Sequence, residues 1–189
     1  MTGVQTCALP ICKISKFLSY VLRHNPDKIG IRLDPAGWTL VPELLDHAAE
    51  NGMHISMSRL RDVVYNSNKQ RFTLDEDEQY IRANYGHSID VDLGYEPQPP
   101  PDTLYHGTAE QSVESILQSG LEPRSRQYVH LSIDMPSAQQ VGSRHGKPVI
   151  LEIDARRAHQ DGHRFYQSDA GIWLTYEVPA EYIEVLDNP

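Results

Sequence analysis

The segment Tyr95-Glu-Pro-Gln-Pro-Pro-Pro-Asp102 constrains this chain more than any other stretch. Proline fixes φ at about −65° and has no amide proton to donate, so four prolines in five positions exclude a continuing helix and a central strand. They favour an extended, semi-rigid connector. The chain therefore reads as two lobes, 13–94 and 102–189, joined by a linker over 95–101. At 189 residues there is enough apolar material for a core in each lobe. Residues 1–12 read as an artefactual or disordered start, because Met1 to Cys12 resembles the translation of a sequencing adapter.

Composition narrows the class of function. No apolar run approaches the roughly 18 residues that span a bilayer. The first residues lack the basic start and long apolar stretch of a secretory signal, so a cytoplasmic protein is the default, as is a monomer. The two cysteines, Cys7 and Cys12, both fall in the opening stretch. That excludes a disulfide framework, a cysteine nucleophile and a thiolate zinc site. The net charge of −9 speaks against a broadly basic nucleic-acid surface. Its distribution is uneven, however. Residues 1–90 hold 10 Lys/Arg against 11 Asp/Glu, and residues 91–189 hold 7 against 15. If one lobe meets RNA phosphates, it is the first, through local clusters.

Hydrophobic spacing places the elements. Ile14, Phe17, Leu18, Val21 and Leu22 recur at i, i+3, i+4, i+7 and i+8, which predicts an amphipathic helix ending near His24, ahead of Asn25-Pro26. Asp34-Pro-Ala-Gly37 is a turn, with Ile31/Leu33 and Trp38/Leu40 alternating on either side. A second helix starts near Pro42 and a third is capped by Ser58. Phe72–Leu74 and Tyr80–Arg82 form a hairpin across Asp75–Glu78. In the second lobe, 104–106, 128–131, 149–153 and 183–185 are strand-like, and Ser112–Leu117 is a helix closed by Gly120. The pattern is α+β with a mainly antiparallel sheet.

Several polar groups stand out, each with an ordinary reading beside a functional one. Arg23-His24 ends the first helix, where cations complement the helix dipole; the same pair can also clamp an anion. Asn66-Ser-Asn-Lys-Gln-Arg-Phe72 brings Lys69 and Arg71 to the start of a strand, as a polar loop or as a second cationic contact. Tyr105-His106-Gly107-Thr108 sets a His at a strand end and a Gly where backbone can approach a ligand. Arg126 precedes a strand on which His130 and Ser132 share a face. There is no Gly-x-Gly-x-x-Gly, no Walker loop and no Gly-x-Ser-x-Gly elbow. His159 and His163 sit among polar residues beside Gly162, and no metal site is expected.

Taken in order, Ser15-Lys-Phe-Leu-Ser-Tyr-Val-Leu-Arg-His24, Leu33-Asp-Pro-Ala-Gly-Trp38, Gln70-Arg-Phe72, Ile81-Arg-Ala-Asn-Tyr-Gly-His-Ser88, Leu104-Tyr-His-Gly-Thr108, Val129-His-Leu-Ser132, Phe165-Tyr-Gln-Ser168 and Gly171-Ile-Trp-Leu174 resemble the RNA (tRNA) 2′-phosphotransferase family. The resemblance runs from about Lys13 to the C-terminus. It implies a winged-helix-like RNA-binding lobe over 13–94 and an ADP-ribosyltransferase-like, NAD-binding lobe over 102–189. The implied activity is NAD-dependent removal of an internal RNA 2′-phosphate in two steps. The phosphate first displaces nicotinamide from NAD⁺, giving 2′-phospho-ADP-ribosylated RNA. A ribose hydroxyl then attacks phosphorus, releasing 2′-hydroxyl RNA and ADP-ribose 1″,2″-cyclic phosphate. Such a substrate arises in tRNA splicing or RNA repair.

The resemblance also carries residue roles. Arg23, His24, Arg71 and Arg126 match the family's catalytic positions, the first three as phosphate-handling groups. His106, Gly107, Thr108, His130 and Ser132 match its NAD-binding strands, with NAD⁺ a co-substrate and no metal required. Ser168 to Trp173 resembles the segment closing the site, although Asp169-Ala170-Gly171 stands where a Glu-Asn-Gly-like run is expected. Tyr85 occupies a position where Gln is frequent. Two alternatives remain at this point. One is ADP-ribosylation of a terminal nucleic-acid phosphate by the same lobe. The other is a non-enzymatic winged-helix regulator, which would bind a duplex tightly and release no nicotinamide.

Overall fold

The apolar stripe of the first segment becomes α1, Ile11–Arg23, with Ile14, Leu18, Val21 and Leu22 fully buried. The computed structural model describes residues 10–67, 70–144 and 146–186; Cys7 and Lys69 lie outside them. The helix ends as Asn25-Pro26 requires: the amides of His24 and Asn25 both donate to the Tyr20 carbonyl, and a 3-10 turn follows over Pro26–Lys28. The chain divides into two compact units, the first ending at Leu93 and the second beginning at Gly94.

In the first unit, the Asp34 carboxylate accepts from the amides of Ala36 and Trp38 at 2.9 and 2.8 Å, an Asx-type turn closed by Gly37 at φ +81°. A short strand β1, Thr39–Leu40, leads directly into α2, Val41–Glu50, with Pro42 in its first turn. Helix α3, Met57–Tyr65, is capped by Ser56, whose hydroxyl accepts from the Arg59 amide; the expected cap, Ser58, is already inside the helix and bonds to Ser56. Strands β2, Phe72–Leu74, and β3, Tyr80–Ala83, form the antiparallel hairpin. β1 adds to β3 through Thr39↔Ile81 and Leu40↔Tyr80, giving the order β1-β3-β2. The alternation at Ile31 and Leu33 does not become a strand: Ile31 is buried in the helical core instead. That core is closed among Leu18, Leu22, Leu44, Leu60, Phe72 and Ile81 and their neighbours.

The second unit starts from the connector, where the Gln98 amide donates to the Phe165 carbonyl at 2.9 Å. Strand β4, Thr103–Ala109, runs into α4, Glu110–Ser119, which Gly120 closes at φ +83°. Then follow β5, Val129–Leu131; α5, Met135–Gly142; β6, Pro148–Asp154; and α6, Ala155–Gln160. Last come β7, Phe165–Gln167, β8, Trp173–Thr175, and β9, Ile183–Leu186. Two three-stranded antiparallel sheets result, β4-β6-β9 and β5-β8-β7. They are tied where Tyr105 and Ser132 exchange both backbone hydrogen bonds, at 2.9 and 2.7 Å. Helices α5 and α6 were not legible in the sequence. The α5 segment is capped by Asp134, whose carboxylate accepts from the Ser137 amide, but its apolar face is narrow: only Ala138 and Gly142 are buried. The fold is α+β, every strand pairing among the described residues is antiparallel, and each unit has its own apolar core. No helix among the described residues is long and apolar enough to cross a membrane.

Candidate active site

In the first unit the end of α1, the entry to β2 and the loop after β3 build one cluster. Arg23 is 9% exposed, a rare degree of burial for a guanidinium. Its charged end lies over the Tyr85 ring at 4.7 Å and the Phe72 ring at 5.7 Å, so two aromatic faces hold it. Its Nη2 donates to the Arg71 carbonyl at 3.3 Å. Gly86, at φ +84°, lets the loop pass close: a Cβ there would stand 3.4 Å from Arg23 Nη1. Asn84, 1% exposed, fixes the approach of β2. Its amide donates to the Arg71 carbonyl, its side-chain amide donates to the Gln70 carbonyl, and its oxygen accepts from Thr73. Arg71 is thus held at the strand entry, and its Nη1 reaches the Ser67 hydroxyl at 3.4 Å. His24 is exposed beside Arg23, its Nδ1 sharing a 2.9 Å hydrogen bond with Ser88 Oγ, while the Ser88 amide donates to the Arg23 carbonyl. Arg23, His24 and Arg71 are brought together.

Behind them lies His87, 2% exposed, with no hydrogen-bond partner among the described residues for either ring nitrogen. Burial, then the charges of Arg23, His24 and Arg82, push its pKa down to about 3. His87 is therefore a neutral packing group, and it adds no positive charge beside the two arginines.

In the second unit a separate cluster forms where the two sheets join. His106 on β4 donates from Nδ1 to the His130 carbonyl at 3.0 Å, which fixes its proton there and leaves Nε2 as an acceptor. Burial lowers its pKa; the bond to the His130 carbonyl opposes this, and the nearby charges of Arg126 and Arg124 reinforce it. His130 on β5 donates from Nδ1 to the Tyr128 carbonyl at 3.0 Å. Strand alternation sets Tyr128, His130 and Ser132 on the face opposite the core residues Val129 and Leu131. Thr108 is 9% exposed. Arg126 is exposed ahead of β5, and Arg124 adopts a left-handed φ of +54°.

Gly107 has a definite neighbour: a Cβ on it would stand 1.7 Å from the Ala138 carbonyl oxygen of α5. The backbone that approaches Gly107 is thus a helix of the protein itself. The segment after β7 is a tight turn: the Ser168 amide donates to the Ile172 carbonyl, the Ile172 amide donates back to the Ser168 hydroxyl, and Gly171 sits at φ +73°. Sequence reading missed Phe72, Tyr85 and Ser88 as supports of the first cluster. It also missed the rings of Tyr128, Tyr166 and Tyr176, packed with centroids 5.1 to 5.8 Å apart beside the second. An aromatic at 85, next to a Gly-His-Ser run, was the available signal for the first set.

A profile of the RNA 2′-phosphotransferase, Tpt1/KptA family matches residues 10–177. A probable RNA 2′-phosphotransferase of Nostoc punctiforme is 53% identical over 174 residues, covering 92% of this chain and 96% of that protein. One of Pectobacterium carotovorum is 51% identical over 172 residues, covering 90% and 92%. One of Agrobacterium fabrum is 53% identical over 171 residues, covering 90% and 92%.

Proposed function

The chain belongs to the RNA 2′-phosphotransferase, Tpt1/KptA family, and from that premise we propose that it removes an internal 2′-phosphate from RNA with NAD⁺ as the acceptor. The observation that carries the proposal is the convergence of Arg23, His24 and Arg71 at the end of α1, two of them on a framework of buried side chains. Planar guanidinium groups suit phosphate oxygens, and a buried one loses little freedom on binding. We take the first unit as the winged-helix-like RNA lobe: three helices and a three-stranded sheet support that reading.

The second unit is taken as the ADP-ribosyltransferase-like lobe, and its cluster suits a dinucleotide. Arg124, ahead of β5, provides a cationic group for a pyrophosphate, and neutral His106 offers Nε2 to a ribose hydroxyl. His130, Ser132 and Thr108 complete the wall, and Gly107 contributes by setting the spacing of β4 from α5. NAD⁺ supplies an electrophilic sugar carbon and, later, a ribose hydroxyl. The protein's residues do the rest. Arg23 and Arg71 align the phosphate for attack, which is largely a positioning task. Arg126 stabilises the charge that spreads over the phosphate oxygens when phosphorus is attacked. His24 donates the proton that the departing RNA 2′-oxygen takes up.

The test is incubation with an oligoribonucleotide carrying one internal 2′-phosphate, with and without NAD⁺, following RNA and nucleotide products. Loss of the phosphate only with NAD⁺, with nicotinamide and ADP-ribose cyclic phosphate appearing together, is the expected result. RNA that stalls in the ADP-ribosylated form would overturn the role given to Arg126. Absence of nicotinamide would overturn the proposal.

A further inference from the structure

We propose that the outward face of α1 is a track for single-stranded RNA that leads the strand to the phosphate site at the helix end; this rests on the RNA-directed function above. In a chain of net charge −9, α1 carries Lys13, Lys16 and Arg23 and not one Asp or Glu. At about 100° per residue, Lys13, Lys16 and Tyr20 fall within an arc of roughly 60°, away from the buried stripe of Ile14, Leu18, Val21 and Leu22. His24 follows the last turn on the same line. Both lysines are exposed.

Tyr20 is the odd member of this stripe. Tyr20 is 45% exposed, on the side of the helix away from the buried Ile14, Leu18, Val21 and Leu22, so it is not needed by the core, and it stands between the lysines and His24. Its hydroxyl accepts from Asn25 Nδ2 at 3.2 Å, which steadies the ring. A cationic line interrupted by a steadied aromatic face matches the chemistry of an unpaired nucleotide strand: the ammonium groups meet phosphates and the ring offers a stacking surface to a base. A duplex would leave the ring without a base to stack on. From Lys13 to His24 the helix rises roughly 16 Å, enough for a short run of nucleotides entering the Arg23/His24 cluster.

The experiment measures binding of a short single-stranded oligoribonucleotide with one internal 2′-phosphate to the full chain, by fluorescence anisotropy over a series of KCl concentrations. Each phosphate neutralised on a single strand contributes about 0.7 to the slope of log affinity against log salt. The double variant Lys13→Ala/Lys16→Ala should therefore flatten the slope by about 1.4, whereas Lys13→Arg/Lys16→Arg keeps it. Tyr20→Ala should weaken binding on the order of tenfold, while Tyr20→Phe, which keeps the ring, stays within about twofold of the parent. An unchanged slope in the double alanine variant, or equal affinity for Tyr20→Ala and the parent, overturns the track. The underlying function is judged separately, from NAD-dependent loss of the phosphate by the unaltered protein. An active enzyme with an unchanged slope defeats the track alone, and an inactive one that binds through Lys13 and Lys16 defeats the function alone.

Discussion

Ser88 stands 64 positions from His24 and yet holds its Nδ1. A ligand contact of His24 is consequently made through Nε2, and the Ser88 hydroxyl decides how the ring is turned when that contact is made. Ser88→Ala should lower kcat by about tenfold with the KM for RNA little changed, a fraction of the 10²–10⁴-fold that a general acid can contribute. Ser88→Thr should restore the rate. Imidazole nitrogen shifts in the NMR spectrum provide the check, because the two tautomers differ there; an alanine variant with the parent's tautomer ratio and kcat would sink the assignment. Arg23 and His24 were visible in the sequence as two cations abutting an apolar stripe, but helix capping explained them equally well. The role proposed for them rests on the order of motifs along the whole chain. The supports at Phe72, Tyr85 and Ser88 were less legible, since each reaches Arg23 or His24 from beyond helices α2 and α3, and the local signal was limited to the aromatic at 85 beside Gly-His-Ser.

At the scale of elements, long amphipathic helices and the hairpin were legible because their periods are set by burial of one face. Boundaries followed capping chemistry that sequence describes poorly: Ser56 and Ser58 are equally good candidates until the helix axis is known. Helix α5 escaped because it packs through backbone. The sheet strand β4 meets it at Gly107, and a methyl group there would lie 1.7 Å from the Ala138 oxygen. Gly107→Ala should destabilise the second unit by about 1–3 kcal/mol or more, as overpacked sites do. Urea unfolding followed by tryptophan emission from Trp173, which lies in that unit's core, reads this directly; a variant as stable as the parent would contradict the close contact.

On the scale of the whole molecule, the buried His87 and the half-buried His106, one in each unit, contribute to the response to acid. An unfolded histidine takes up its proton near 6.5, while His87 resists until about 3. Across that window the unfolded chain binds more protons, so stability is full above about 6.5 and declines as the pH falls, by up to about 1.4 kcal/mol per unit for this group. His106, also held below the ordinary range by burial, acts in the same direction in the second unit. Urea midpoints at pH 7 and pH 5 should therefore fall, and His87→Gln should reduce the fall; equal pH dependence in both proteins would exclude His87 as its source. No Lys or Arg occurs between Arg82 and Arg124, a stretch that includes all of residues 94–102. Trypsin has no cleavage site in the joint and yields both sides of it as one peptide, whereas chymotrypsin, entering after Tyr95, is the protease that would part the two units.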